Sequence, residues 1–256
     1  MALQAVYPTV AHERAASAIT QFFAVRRATD AVLLTNSCAR AKATADSCLD
    51  MQVIVRPEAV TALDSEFRRF ARDSREIAEL AGAGRFSDLH LDVSDGVATL
   101  GPIEEEGIPW SEVVVGTFFV YSIPLHVNGD RYERLASEWL PFYDEALRAQ
   151  RLRDARWFVL ENNLERIPWY IGRELYFQAF DRFYRAFQGF LLGLHLARRT
   201  YPIAYNKWIR EQIAENLGLP ELYDRLPRLF ELHRFGDALE QKAAELARLV
   251  DEYVIE

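Results

Sequence analysis

The chain has 256 residues, of which 50% are hydrophobic and 27% charged, with a formal net charge of −8. This composition excludes a disordered chain and leaves length for one large or two modest domains with proper cores. The acidic balance argues against a dedicated nucleic-acid binder, which needs a basic footprint, and the 2 cysteines are too few for a disulfide framework.

The N-terminus, MALQAVYPTVAHER, lacks the basic start and sustained apolar core of a signal peptide. The longest apolar stretch, Phe187 to Ala197, is interrupted by Gln188 and His195 and is too short to span a bilayer. The expectation is a cytoplasmic protein with no membrane partner.

In chain order, Ala11 to Arg27 reads as a helix, with Ala15, Ile19, Phe22 and Phe23 at helical spacing. Two short apolar runs, Val32 to Leu34 and Met51 to Val55, then flank a polar loop and predict two buried strands. Side chains alternate along a strand, so Cys48 and Asp50 share one face while Leu49 and Met51 share the other. Pro57 opens a helix whose apolar stripe runs from Val60 through Phe67 and Phe70 to Leu80, and Gly82-Ala83-Gly84 ends it.

Asp88 to Val93 alternates strictly and predicts a half-buried strand with Asp88, His90 and Asp92 on one face. Asp95-Gly96 signals a hairpin turn, and Val97 to Leu100 and Glu112 to Ser122 read as further strands from their β-branched and aromatic content. Asn128-Gly129-Asp130 marks a turn and the natural domain boundary.

Beyond Arg131 the pattern is helical. Arg131 to Arg151 is a helix that Pro141 kinks or splits, and Arg153 to Arg166 reads as another. Pro168 opens a long helix, apolar over much of its circumference, that ends at Tyr201-Pro202. Ile203 to Leu217, Glu221 to Leu232 and Asp237 to Tyr253 complete a bundle. The fold class is therefore α+β, a small mixed-sheet domain over 1–130 followed by an all-α domain over 131–256.

The loop between the first two strands carries Asn36-Ser37 at its start, Arg40 in its middle and Asp46-Ser47-Cys48-Leu49-Asp50 at its end. It resembles the signature of the DNA polymerase beta-like nucleotidyltransferase superfamily, which includes aminoglycoside and lincosamide nucleotidyltransferases. That signature is a strand, Gly-Ser, a small and basic loop, then Asp-any-Asp opening the next strand. Ser37, Arg40, the Ala43 to Ser47 run and Asp50 fall in register with it. Asn36 stands where the family has Gly, a mild change because Asn tolerates left-handed backbone angles. Cys48 stands where the family has its first metal-binding Asp, and a soft thiol is a poor substitute for a carboxylate on magnesium.

The resemblance implies transfer of a nucleotidyl group, AMP from ATP or another nucleoside triphosphate, to a hydroxyl of a small-molecule acceptor. Asp50 would hold Mg2+ with a third carboxylate, either Asp92, which sits deeper in its run, or Asp88; Asp46 could supply a further ligand. Ser37 and Arg40 would contact phosphate. Lys207, in a Tyr201-Pro202…Asn206-Lys207-Trp208 segment similar to helical domains of related bacterial proteins, would reach the triphosphate. The alternative reading is a degenerate nucleotidyltransferase fold that binds a nucleotide or a protein without catalysis.

Each residue also has a plainer reading: a turn serine, a solvated arginine or lysine, and solvent-facing acids on an amphipathic strand. Glu161, Glu165, Asp181 and Arg185 are candidate cleft residues or ordinary helix charges. His195 reads as a hydrogen-bonded core histidine. A zinc site at Cys38 and Cys48 lacks the paired spacing of such sites.

Overall fold

A computed structural model describes residues 3–233 and 235–255. The chain divides into two compact units: residues up to Ala98 together with Val114–Leu140, and Thr99–Val113 together with the residues from Pro141 onward. The Asn128–Asp130 turn therefore lies inside the first unit, and the Glu104–Glu106 stretch belongs to the second.

The first unit opens with α1 (Val10–Ala24), whose N-cap Thr9 accepts from the His12 amide. Then follow β1 (Thr29–Leu34), the single turn α2 (Asn36–Ala39) and β2 (Leu49–Val55). The helix expected after Pro57 is two helices, α3 (Val60–Asp73) and α4 (Arg75–Ala81). Ser74 separates them because its extended backbone closes α3 while its hydroxyl accepts from the Ile77 amide to cap α4. β3 (Leu89–Ser94) comes next.

The expected strands at Val97–Leu100 and Glu112–Ser122 do not form. Gly96 turns the chain at φ 73°, and Asp95 and Ser94 accept from the Val97 and Gly96 amides. The chain then leaves the sheet instead of returning along β3. Residues 112–122 form α5 (Ser111–Val115) and a wider π turn, Gly116–Val120. Glu112, Val115, Gly116, Phe118 and Phe119 are buried, a spacing of three to four that fits a helix and not alternation. A run apolar on every side is ambiguous between the two by sequence, and here helical packing overrides β propensity.

β4 (Ile123–Val127) and α6 (Arg131–Ser137) complete the unit. The four strands form one mixed sheet in the order β3-β2-β1-β4, with β2 and β3 parallel and the other pairs antiparallel. Val32, Leu34, Met51, Val53 and Val93 pack into one core with Ile19 and Phe23 of α1, Phe67 of α3 and Leu80 of α4. Burying each such side chain contributes about 1.5–3 kcal/mol, which fixes which strand residues face the core and which face away.

The second unit holds α7 (Glu145–Leu160), α8 (Ile167–Ile171), α9 (Tyr176–Ala197), α10 (Pro220–Arg225) and α11 (Phe235–Tyr253). Pro141 separates α6 from α7, as its missing amide requires. The long helix expected from Pro168 is interrupted at Gly172–Leu175, where Glu174 takes a φ of 58°. A continuous helix over Ile203–Leu217 is also absent. The buried Gln212 side chain bonds the Ile203 amide at 2.7 Å and the Ala204 and Lys207 carbonyls at 2.8 and 3.0 Å. It thus satisfies backbone groups that a helix would otherwise pair, and only Glu211–Asn216 closes into a π turn. Among the described residues no helix is long and apolar enough to cross a membrane.

Candidate functional site

The parallel register of β2 and β3 builds the site. It sets Asp50 beside His90 and Gln52 beside Asp92, and alternation turns all four away from the core. With Thr35 and Asn36 they line a cleft of about 400 Å³ on the first unit. Asp50 Oδ1 lies 3.3 Å from His90 Nδ1, with the carboxylate largely shielded and the imidazole exposed. Gln52 Oε1 is buried and accepts no hydrogen bond. The Thr35 amide donates to the Asp50 carbonyl at 3.0 Å, which ties the end of β1 to the site. Asn36 then turns the chain at φ 53°, the left-handed region where Asn is tolerated better than most side chains.

Of the residues singled out by sequence, Asp50 and Asp92 therefore come together in one cleft. The others are not among the residues that line it. Asp46 Oδ1 accepts from the Arg85 amide at 2.8 Å, and Ser87 Oγ donates to the Ala45 carbonyl at 2.6 Å. These bonds stitch the loop before β2 to the loop before β3, so closely that Gly84 has no room for a Cβ against the Ala45 carbonyl. Asp88 accepts from the adjacent Leu89 amide at 2.8 Å and does not line the cleft. Ser37 and Arg40 are buried and are not lining residues either. Lys207 is exposed on the second unit. Cys48 Sγ donates to the Phe86 carbonyl at 3.3 Å, while burial pushes the Cys38 thiol up to about 12.

His90 and Gln52 were not legible as site residues in the sequence. The alternation of β3 gave a face for His90, but only the strand register puts it against Asp50. In the second unit, Asp181 pairs with Arg185 at 2.8 Å along α9, an ordinary i,i+4 ion pair, and Glu161 and Glu165 are exposed. His195 is a buried core histidine, its Nδ1 donating to the Leu191 carbonyl at 2.8 Å. The buried Glu112–Arg151 ion pair is not visible in the sequence, where the β-branched run after Glu112 reads as a strand.

Magnesium, a hard cation, takes oxygen ligands in near-octahedral geometry. The neighbour of Asp50 on β3 is an imidazole nitrogen, Asp46 is committed to the Arg85 amide, and the position two before Asp50 is a thiol. Among the described residues no group of three His, Cys, Asp or Glu side chains is placed to hold a metal ion. Asp50 and Asp92 share the cleft, and two carboxylates alone fall short of the oxygen set that magnesium takes. Comparison of the chain with protein-family models and with curated proteins gives no match.

Proposed function

We propose that the first unit is a nucleotidyltransferase-like binding module, whose cleft takes a nucleoside through its hydroxyl and amine groups without transferring a nucleotidyl group. The observation that carries this reading is the polar lining: the carboxylate residues Asp50 and Asp92 and the amide residue Gln52 line one cleft. Carboxylates are hydrogen-bond acceptors only, so the groups that suit them are the hydroxyls and amines of a ligand. A polyphosphate is the wrong charge for a cleft lined by two carboxylates.

The second reading is the enzyme itself, Mg-dependent transfer of AMP from ATP to a small-molecule hydroxyl; the shared cleft of Asp50 and Asp92 favours it. A pyrophosphate-release assay separates the two, run with Mg-ATP and a panel of hydroxyl acceptors on wild type and on Cys48→Asp. The binding module releases no pyrophosphate as wild type. Cys48→Asp puts a carboxylate two residues before Asp50 in place of a thiol, a poor ligand for magnesium, and should raise magnesium affinity. Magnesium-dependent release by the wild type, abolished in Asp50→Ala, would establish the enzyme and overturn the binding module.

A further inference from the structure

β3 is at one end of the sheet and, among the described residues, pairs with β2 alone. The Leu49 amide donates to the Asp88 carbonyl at 2.9 Å, so with parallel registry the peptide groups of residues 88, 90 and 92 point at β2. Those of Leu89, Leu91 and Val93 then point outward, along the open edge. The Leu89 amide is met by the Asp88 carboxylate at 2.8 Å; the amides of Leu91 and Val93 meet no other described group. An open edge of this kind is a template for another strand unless it is covered or charged.

Beside this edge runs a groove of about 730 Å³ floored by Phe67, Ile77, Leu89 and Leu91. Its wall is the face of α3 that carries Arg68, Arg69 and Arg72, all exposed. Arg68 is held by Asp64 at 2.8 Å. No described residue pairs with Arg69 or Arg72. In a chain of net charge −8, two unneutralised arginines beside an unpaired strand edge are a local reversal of sign.

From this juxtaposition we infer that β3 is a docking edge for an extended acidic peptide, which adds as a fifth strand. Alternation sets the chemistry of the partner. Its residues on the helix side lie over Leu89 and Leu91 with Arg69 and Arg72 within reach, which suits Glu, whose aliphatic stem covers the floor while its carboxylate meets a guanidinium. Its intervening residues lie on the side of Asp92, which favours uncharged β-branched side chains there. Main-chain bonds to Leu91 and Val93 supply the affinity, and the arginines select the charge.

The test uses the full chain and a fluorescein-labelled peptide alternating Glu and Val, followed by fluorescence anisotropy. The expected result is saturable binding, weakened at least about tenfold in Arg69→Glu/Arg72→Glu, since like charges then face each other. Both substitutions are on an exposed helix face, and an unchanged circular dichroism spectrum verifies the fold. A peptide with Lys for Glu, and one with a central Pro that cannot donate to the ladder, should not bind. No binding of the Glu–Val peptide, equal binding by the double variant, or equal binding of the Pro peptide would overturn the inference. So would sedimentation showing a dimer that the double variant leaves intact and the peptide does not dissociate, because a second copy would then own the edge.

Discussion

Asn36 makes the turn between β1 and the site with a φ of 53°. Most L side chains lose roughly 1–2 kcal/mol in that region, and Asn offsets part of the loss with its short polar side chain. Asn36→Gly should therefore leave the urea midpoint nearly unchanged, whereas Asn36→Val should lower stability by about 1–2 kcal/mol. This residue was readable in part: Asn is a side chain that tolerates left-handed backbone angles. Cys48 was readable only in part. Its alternation with Asp50 was expected, but its bond to the Phe86 carbonyl depends on how two loops distant in sequence meet.

At the scale of elements, α9 carries His195 on its buried face, bonded to the Leu191 carbonyl. Burial pushes its pKa down to about 4 from 6.5. Below pH 6.5 the unfolded chain takes up the proton before the folded one does. The associated stability is thus complete above that pH and is lost as pH falls toward 4, by up to about 3 kcal/mol. Urea unfolding at pH 7 and pH 4.5 measures this loss, and His195→Leu should flatten that part of the profile. Equal slopes in the two proteins would assign the acid sensitivity to other groups.

Strands β1, β2 and β3 and helix α1 were legible because their periodicity is clean and their ends carry turn residues. The α5 segment was not, because Val113-Val114-Val115 and Phe118-Phe119 are apolar in both periods. Partner surfaces decided it, and those are set by residues far along the chain. The same holds for the cleft. Asp50 and Asp92 were found from local spacing, but the engagement of Asp46 follows from a loop-to-loop bond to the Arg85 amide that no local pattern encodes.

At the scale of the whole molecule, the second unit is held partly by charges placed where water is absent. Glu112 and Arg151 form an ion pair in which both side chains are almost wholly buried, and Arg151 also donates to the Gly101 carbonyl at 2.9 Å. Asn162 and Arg166 bond the Glu105 carbonyl and carboxylate at 3.0 and 2.6 Å. These contacts fasten the Thr99–Val113 segment to the helices of its unit, which explains why it belongs there despite its place in the sequence. Arg151→Met leaves the Glu112 carboxylate buried without its cation, and the expected loss is about 3–5 kcal/mol in denaturant unfolding. A loss below about 1 kcal/mol would mean that the pair contributes little beyond packing.

The cleft over β2 and β3 bears the functional claim, and calorimetric titration of the full chain with adenosine and with ATP, each in magnesium and in EDTA, tests it most directly. The predicted result is adenosine binding that is independent of magnesium and no weaker than ATP binding, reduced about tenfold or more in Asp50→Asn, where a charged acceptor is lost. Binding of ATP that is tighter than that of adenosine and requires magnesium would contradict it.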